Sequence, residues 1–238
     1  MIICRSKNFV VIRPPKTGST SLIYYFFRSG LVQEQDSYVI DGPFSTWESF
    51  EAYHNKYGED YTYLPEVDKK HRKEGVIRKN VHITFNELVE KQLIEKTMPC
   101  ASTIRHPIER FSSAFYYIRK IRYNNVGLSN TPYSDPNAFL DAIKDKEAHM
   151  GVRSLARPQC DYFPDHAELF NTENLHEHVS KYILEKGGKV DGRIEMRKNP
   201  DNKLDVFLAE LTPERKQDIL DTYAKDFELW EKAYAVYN

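Results

Sequence analysis

The sequence has few of the features that mark secreted, fibrous or membrane-spanning proteins. Its 238 residues include only three cysteines, Cys4, Cys100 and Cys160, and their spacing fits neither a metal site nor an even disulfide framework. We therefore predict free thiols in a reducing compartment. No stretch approaches the roughly 18 to 20 apolar residues that a bilayer span requires, and residues 1–12 lack a signal-peptide core. These absences favour a soluble cytoplasmic protein.

An excess of charge of one sign is also missing, because 34 Lys and Arg stand against 35 Asp and Glu. This balance argues against a sequence-independent nucleic-acid binder. Basic residues do cluster between 69 and 79, where they could face an acidic glycan or a nucleotide, or belong to a solvated loop. With no Gly/Ser linker, no repeat and 40% hydrophobic residues, the chain is expected to fold as one domain over residues 1–238.

The most informative stretch is residues 9–22, which read FVVIRPPKTGSTSL. A β-branched run stops at two prolines and resumes with helical spacing, which predicts a strand over 8–13, a loop over 14–19 and a helix over 19–29. Such a turn aims backbone N–H groups, hydroxyls and an ammonium group at an anion. The predicted phosphate cradle consists of Lys16, Thr17, Gly18, Ser19 and Thr20.

Further strands and helices follow this unit along the chain. The patterns predict strands over 75–82 and 100–104, and helices over 46–57, 87–96 (capped by Asn86), 107–122 and from a Thr212-Pro213-Glu214 cap to Tyr237. The apolar stripe of that last helix is expected to be core. Alternation of strands and helices implies an α/β fold, with a central, mostly parallel sheet flanked by helices. In such sheets ligands bind beyond the carboxyl ends of the strands, where Lys16 and Arg105 both lie.

Two motifs resemble those of sulfotransferases. The order P-K-T-G-S-T-S differs from the G-x-x-x-x-G-K-[ST] loop of nucleotide hydrolases and resembles the 5′-phosphosulfate loop of this family. Residues 104–113, IRHPIERFSS, fill the R-x-P-x-x-R-x-x-S frame that holds a 3′-phosphate in the same family. The resemblance implies a P-loop-like domain that uses 3′-phosphoadenosine 5′-phosphosulfate (PAPS) and releases adenosine 3′,5′-bisphosphate. Arg105 and Ser113 would bind the 3′-phosphate, and no metal is implied.

A base is needed because an alcohol acceptor loses its proton as it attacks sulfur in line. His82 is the candidate, since histidine titrates near neutral pH and this one ends the predicted strand 75–82. The stretch VHITFNELVEK also resembles the segment that carries the catalytic histidine in heparan sulfate and related uronyl 2-O-sulfotransferases, although Asn80 stands where a second histidine is usual. Glu87 is the alternative base, and Lys16 would neutralise charge on the leaving phosphate.

Weaker resemblances extend the predicted site. Gln159 and Tyr162 would approach the acceptor, and Arg197 and Lys198 lie in a basic segment similar to the loop that closes over the nucleotide in the 2-O-sulfotransferases. The expected acceptor is a glycan hydroxyl, with a tyrosyl peptide, a lipid or a small alcohol left open. A nucleotide kinase and a nonenzymatic polyanion-binding module are the alternatives from other classes.

The resemblance also bears on location. Eukaryotic glycan sulfotransferases of this type sit in the Golgi behind a membrane anchor, so the expectation is a soluble microbial or viral enzyme, or else a Golgi-lumenal enzyme without its anchor.

Overall fold

The computed structural model describes most of the chain. The described residues are 1–32, 37–39, 82–123, 135–144, 155, 157–190, 192 and 204–235. The predicted helix 46–57, the basic cluster at 69–79 and the predicted strand 75–82, apart from His82, lie outside them, as do Arg197 and Lys198. The three cysteines are free thiols, as predicted.

Within the described residues, five strands form one sheet in the order β3-β1-β2-β4-β5. Their bounds are β1 Ile2–Cys4, β2 Phe9–Ile12, β3 Ser37–Val39, β4 Cys100–Ile104 and β5 Glu168–Asn171. β2, β4 and β5 run parallel, and β1 runs antiparallel to both of its neighbours. The predicted α/β fold with a mostly parallel sheet is confirmed. β1 was not predicted; it pairs with β2 through a tight turn in which Asn8 takes a positive φ of 50°.

Helices lie on both faces of this sheet. They are α1 Ser19–Arg28, α2 Phe85–Glu90, α3 Pro107–Tyr123, α4 Pro136–Lys144, a 3-10 helix Gln159–Asp161, α5 Leu175–Glu185, α6 Leu204–Glu210, α7 Pro213–Thr222 and α8 Ala224–Ala235. Residues of α1 and α5 share one buried cluster with Phe9, Val11 and Phe170, and residues of α2 and α8 share another with Val10 and Ile12. Every residue of β2 and β4 is buried, as expected for strands covered on both faces.

The C-terminal region differs from the single long helix that the sequence predicts. Thr212 caps a helix with Pro213 in its first turn, as predicted, but α7 ends at Thr222 and α8 begins at Ala224. Tyr223, between them, is buried in the cluster that contains Phe111. Because the axis breaks there, the predicted stripe is only partly core: Leu220 and Tyr234 are 39% and 42% exposed.

The start of α2 also differs from the prediction. Thr84, rather than Asn86, is the N-cap: its Oγ1 accepts a hydrogen bond from the Glu87 backbone N–H at 3.1 Å, and Glu87 Oε2 accepts one from the Thr84 N–H at 2.8 Å. This reciprocal pair is a capping box, which satisfies two N–H groups that the helix itself leaves without partners. The helix is shorter than predicted and ends at Glu90.

The capping box predicts that replacing Thr84→Ala lowers the free energy of unfolding by about 1 kcal/mol, the usual cost of a lost N-cap. Asn86→Ala is the matched control, because Asn86 is exposed, and it should stay within about 0.5 kcal/mol of the wild type. Urea unfolding followed by circular dichroism measures both. Equal losses in the two variants would contradict the assignment of the cap.

Candidate active site

The loop between β2 and α1 is shaped for an anion. Lys16 and Gly18 both take the left-handed backbone conformation, with φ of 64° and 67°. That conformation is easy for glycine and costs energy at a lysine, so the loop holds Lys16 against its local preference. Gly18 is the N-cap of α1, offers no side-chain cap, and is followed by no acidic residue in the first turn. The N-terminus of α1 therefore favours a negatively charged ligand.

The hydroxyl groups of the loop hold the loop itself. Thr17 is completely buried, and its Oγ1 donates to the Pro14 carbonyl at 2.8 Å. Ser19 Oγ donates to the same carbonyl at 3.2 Å. Thr17 Oγ1 also lies 2.8 Å from Oγ1 of Thr103, on the neighbouring parallel strand β4. These bonds fasten the predicted cradle to the end of β4, and hydroxyl contacts from Ser19 or Thr20 to a ligand stay a prediction.

Arg105 lies directly after β4, at the same edge of the sheet as the loop. Its Nε and Nη2 donate to Glu109 Oε2 at 3.3 and 3.2 Å. Its side chain is 23% exposed, so the guanidinium group can be reached from solvent. The two sequence motifs are therefore brought together as predicted, because parallel strands end at one edge and Thr17 touches Thr103 there.

One face of α3 turns toward the loop. Arg110, Ser113 and Tyr117 follow one another at helical intervals of three and four residues, which places them on one side. Lys16 Nζ lies 4.0 Å from the centre of the Tyr117 ring, a cation–π distance. Ser113 lies between the two contacts and is half-buried.

Arg110 is a functional candidate that the sequence did not reveal, since there it is only the second arginine of the R-x-P-x-x-R-x-x-S frame. Its side chain is 2% exposed. Nε donates to the Pro15 carbonyl at 3.0 Å, and Nη2 donates to the carbonyls of Leu155 and Arg157 at 3.0 and 2.8 Å. Arg110 thus ties the loop to the chain around residues 155 and 157. An arginine at the start of a helix gives no sequence signal of such burial.

His82 reaches the beginning of the same loop. Its Nδ1 lies 2.9 Å from the Arg13 carbonyl oxygen. A carbonyl only accepts hydrogen bonds, so Nδ1 carries the proton and, in the neutral ring, Nε2 is the basic nitrogen. The ring is half-buried. His82 is therefore oriented by the residue that joins β2 to the Lys16 loop.

The alternative base, Glu87, is occupied by other contacts. One carboxylate oxygen closes the capping box of α2 and the other lies 3.9 Å from Arg157 Nη1. This geometry gives Glu87 a role in the helix that explains its presence.

Gln159 and Tyr162, the predicted acceptor contacts, are both 0% exposed. The Gln159 amide bonds to the backbone of Arg105, and burial raises the pKa of Tyr162 to about 12. Their contact with an acceptor stays a prediction, and the contacts seen here are with the protein interior.

A family model described as the sulfotransferase family matches residues 1–235. The chain belongs to the sulfotransferase family. It is therefore a transferase of sulfonate groups, and its acceptor carries a hydroxyl group. No curated protein and no solved structure shows significant similarity to the chain.

Two further observations describe this sulfotransferase. Within the described ranges, no helix is both long and apolar enough to cross a lipid bilayer. No group of three or more His, Cys, Asp or Glu side chains suited to a metal ion occurs in that part of the chain.

The burial of Arg110 predicts a large structural effect of its removal from this sulfotransferase. Arg110→Met leaves buried carbonyl groups without donors, which should lower the free energy of unfolding by on the order of 3 kcal/mol. Arg157→Met is the control, because Arg157 lies on the surface, and should cost less than about 1 kcal/mol. Denaturant unfolding measures both values, and an Arg110→Met variant as stable as the control would contradict the anchoring role.

Proposed function

We propose that this sulfotransferase moves a sulfonate from PAPS to a hydroxyl group of a carbohydrate, by direct in-line transfer with His82 as the base. The observation that carries the proposal is that the two motifs lie at one edge of the sheet. The α1 N-terminus and Arg105 follow neighbouring parallel strands, and the Thr17–Thr103 hydroxyl pair joins the loop to β4 just before Arg105. Two anion-binding groups at one edge suit a nucleotide that carries an anionic group at each of two positions.

The residues around the α1 N-terminus fit the 5′-phosphosulfate end of PAPS. The Gly18 cap leaves the N-terminal end of the helix to an anion, and Lys16 supplies a positive charge beside it. PAPS would supply a sulfonate attached to a phosphate that can leave. Lys16 would neutralise the charge that develops on the leaving side, and the backbone N–H groups of residues 17–20 would hold the 5′ group.

Arg105 and Ser113 fit the 3′-phosphate. A guanidinium group offers a planar pair of donors that matches phosphate in a bidentate contact. Those donors bind Glu109 in the present structure, so the Arg105–Glu109 ion pair would break when the phosphate binds. Ser113 would add a hydroxyl from the face of α3 that carries the Tyr117 contact with Lys16.

His82 is supported as the base by its orientation. Because Nδ1–H donates to the Arg13 carbonyl, Nε2 is the basic nitrogen of the neutral ring and would take the proton from an acceptor hydroxyl. The same bond would stabilise the protonated ring once the proton has moved. Glu87 is a weaker choice, since both of its oxygens serve other contacts.

The carbohydrate acceptor is supported by resemblance alone. The stretch that contains His82 resembles the catalytic-histidine segment of the uronyl 2-O-sulfotransferases, which act on glycans.

The direct test is transfer of labelled sulfonate from PAPS to a panel of glycans, tyrosyl peptides and small alcohols, with products found by mass spectrometry. We expect a labelled glycan with the wild type and none with Lys16→Ala, since that lysine faces the leaving phosphate. With labelled ATP and magnesium in place of PAPS, no acceptor should become labelled. Label in a peptide or alcohol alone would overturn the carbohydrate assignment, and phosphate transfer from ATP would overturn the donor.

The role of His82 predicts that His82→Ala lowers kcat by about 10² to 10⁴, the usual value of a general base, while the Kd for adenosine 3′,5′-bisphosphate stays unchanged. Glu87→Gln should retain kcat and lose only stability, because its carboxylate closes a capping box. His166→Ala is the histidine control, since His166 is exposed. A drop in kcat with Glu87→Gln but not with His82→Ala would reverse the assignment.

A further inference from the structure

A buried carboxylate at the start of α8 is linked to Arg105 through Gln159. Asp226, in the first turn of α8, is 0% exposed. Its Oδ2 accepts hydrogen bonds from the Gln159 backbone N–H at 2.7 Å and from Gln159 Nε2 at 3.4 Å, and its Oδ1 accepts one from the Cys160 N–H at 2.8 Å. A buried carboxylate is costly unless such donors surround it, and the same donors would lose their acceptor if residue 226 were apolar. Asp226 therefore holds the backbone at residues 159 and 160 and the side chain of Gln159 in place.

Gln159 connects this carboxylate to the backbone of Arg105. Its Oε1 accepts from the Arg105 N–H at 2.9 Å, and its Nε2 donates to the Arg105 carbonyl at 2.9 Å. Gln159 is itself 0% exposed. Both polar atoms of the Gln159 amide group therefore bond to the backbone of Arg105, and Asp226 bonds to the same amide group. This fixes the direction in which the Arg105 side chain leaves the end of β4.

The same helix also supports the next residue. The His106 ring packs edge-on against Phe227 and Trp230, with ring centres 5.3 and 4.8 Å apart. The turn between β4 and α3 is thus held by hydrogen bonds at Arg105 and by aromatic packing at His106. Both sets of contacts reach back to α8, far from the phosphate loop in the sequence.

A fixed backbone matters for a bidentate contact. A guanidinium group matches two phosphate oxygens only in a narrow range of orientations, so affinity depends on how well its attachment point is held. Arg105 starts from a pair with Glu109 and must turn its side chain to meet a phosphate. Holding the backbone of Arg105 confines that movement to the side chain.

We propose that Asp226 and Gln159 are positioning residues that act through the Arg105 backbone to set the affinity for a 3′-phosphate. The inference rests on the proposed function and deepens it, since it assigns Gln159 to the donor nucleotide rather than to the acceptor. Loss of either residue should weaken the binding of nucleotides that carry a 3′-phosphate and spare those that lack it.

The test compares two ligands by isothermal titration calorimetry: adenosine 3′,5′-bisphosphate and adenosine 5′-monophosphate. Asp226→Asn and Gln159→Met should each raise the Kd for the bisphosphate about tenfold, as expected for one misaligned charged contact. The Kd for the monophosphate should stay within about twofold of the wild-type value. Asp165→Asn is the control, because Asp165 is an exposed acidic residue. In an Arg105→Ala background, Gln159→Met should have no further effect on the bisphosphate, since the residue through which it acts is gone.

The outcomes distinguish a failure of the positioning role from a failure of the proposed 3′-phosphate site. If the Kd values for both ligands rise equally in a folded variant, the role is merely structural and the inference is overturned. If Asp226→Asn does not fold, the ligand comparison with Gln159→Met decides in the same way. If the wild type does not prefer the bisphosphate to the monophosphate, the proposed 3′-phosphate site itself fails.

Discussion

The parallel pairing of β2 with β4 is the constraint on which the rest of the site depends. Its register sets Val10 opposite Cys100 and Ile12 opposite Ser102, so both strands end at one edge of the sheet. The proposed phosphate loop follows β2, and Arg105 follows β4. A shift of this register would separate Thr17 from Thr103, and with them the two groups that we propose bind the phosphates. The location of the proposed site is thus a consequence of sheet topology.

Side chains donate hydrogen bonds to the backbone carbonyls where β2 ends and the loop begins. Three successive carbonyls accept hydrogen bonds from side chains: Arg13 from His82, Pro14 from Thr17 and Ser19, and Pro15 from Arg110. Two prolines provide no N–H for a sheet ladder, so this segment leaves the sheet with its carbonyls needing donors. The bonds that orient the proposed base and hold the loop therefore lie on three consecutive residues.

Prediction from the sequence worked where local signals were strong. The β2–loop–α1 unit and the β4–α3 unit were both predicted, because an apolar run, a turn and a helical stripe lie next to one another in each. Contacts between distant residues were not predictable: His82 lies 69 residues from Arg13, and Arg110 lies 95 residues from Pro15. The cap of α2 was missed because Asn86 and Thr84 both suit an N-cap, and the reciprocal bond with Glu87 favours Thr84. The break at Tyr223 depends on tertiary burial against α3, which helical periodicity does not contain.

The most direct measurement is a crystal structure of the protein with adenosine 3′,5′-bisphosphate. The account predicts the 5′-phosphate within about 3.2 Å of the backbone nitrogens of Gly18 to Thr20, beside Lys16 Nζ, with the 3′-phosphate bound by Arg105 and Ser113. Arg105 would have left Glu109, while its backbone stayed on Gln159. A nucleotide bound elsewhere, or one whose 3′-phosphate faces solvent while Arg105 still pairs with Glu109, would contradict it.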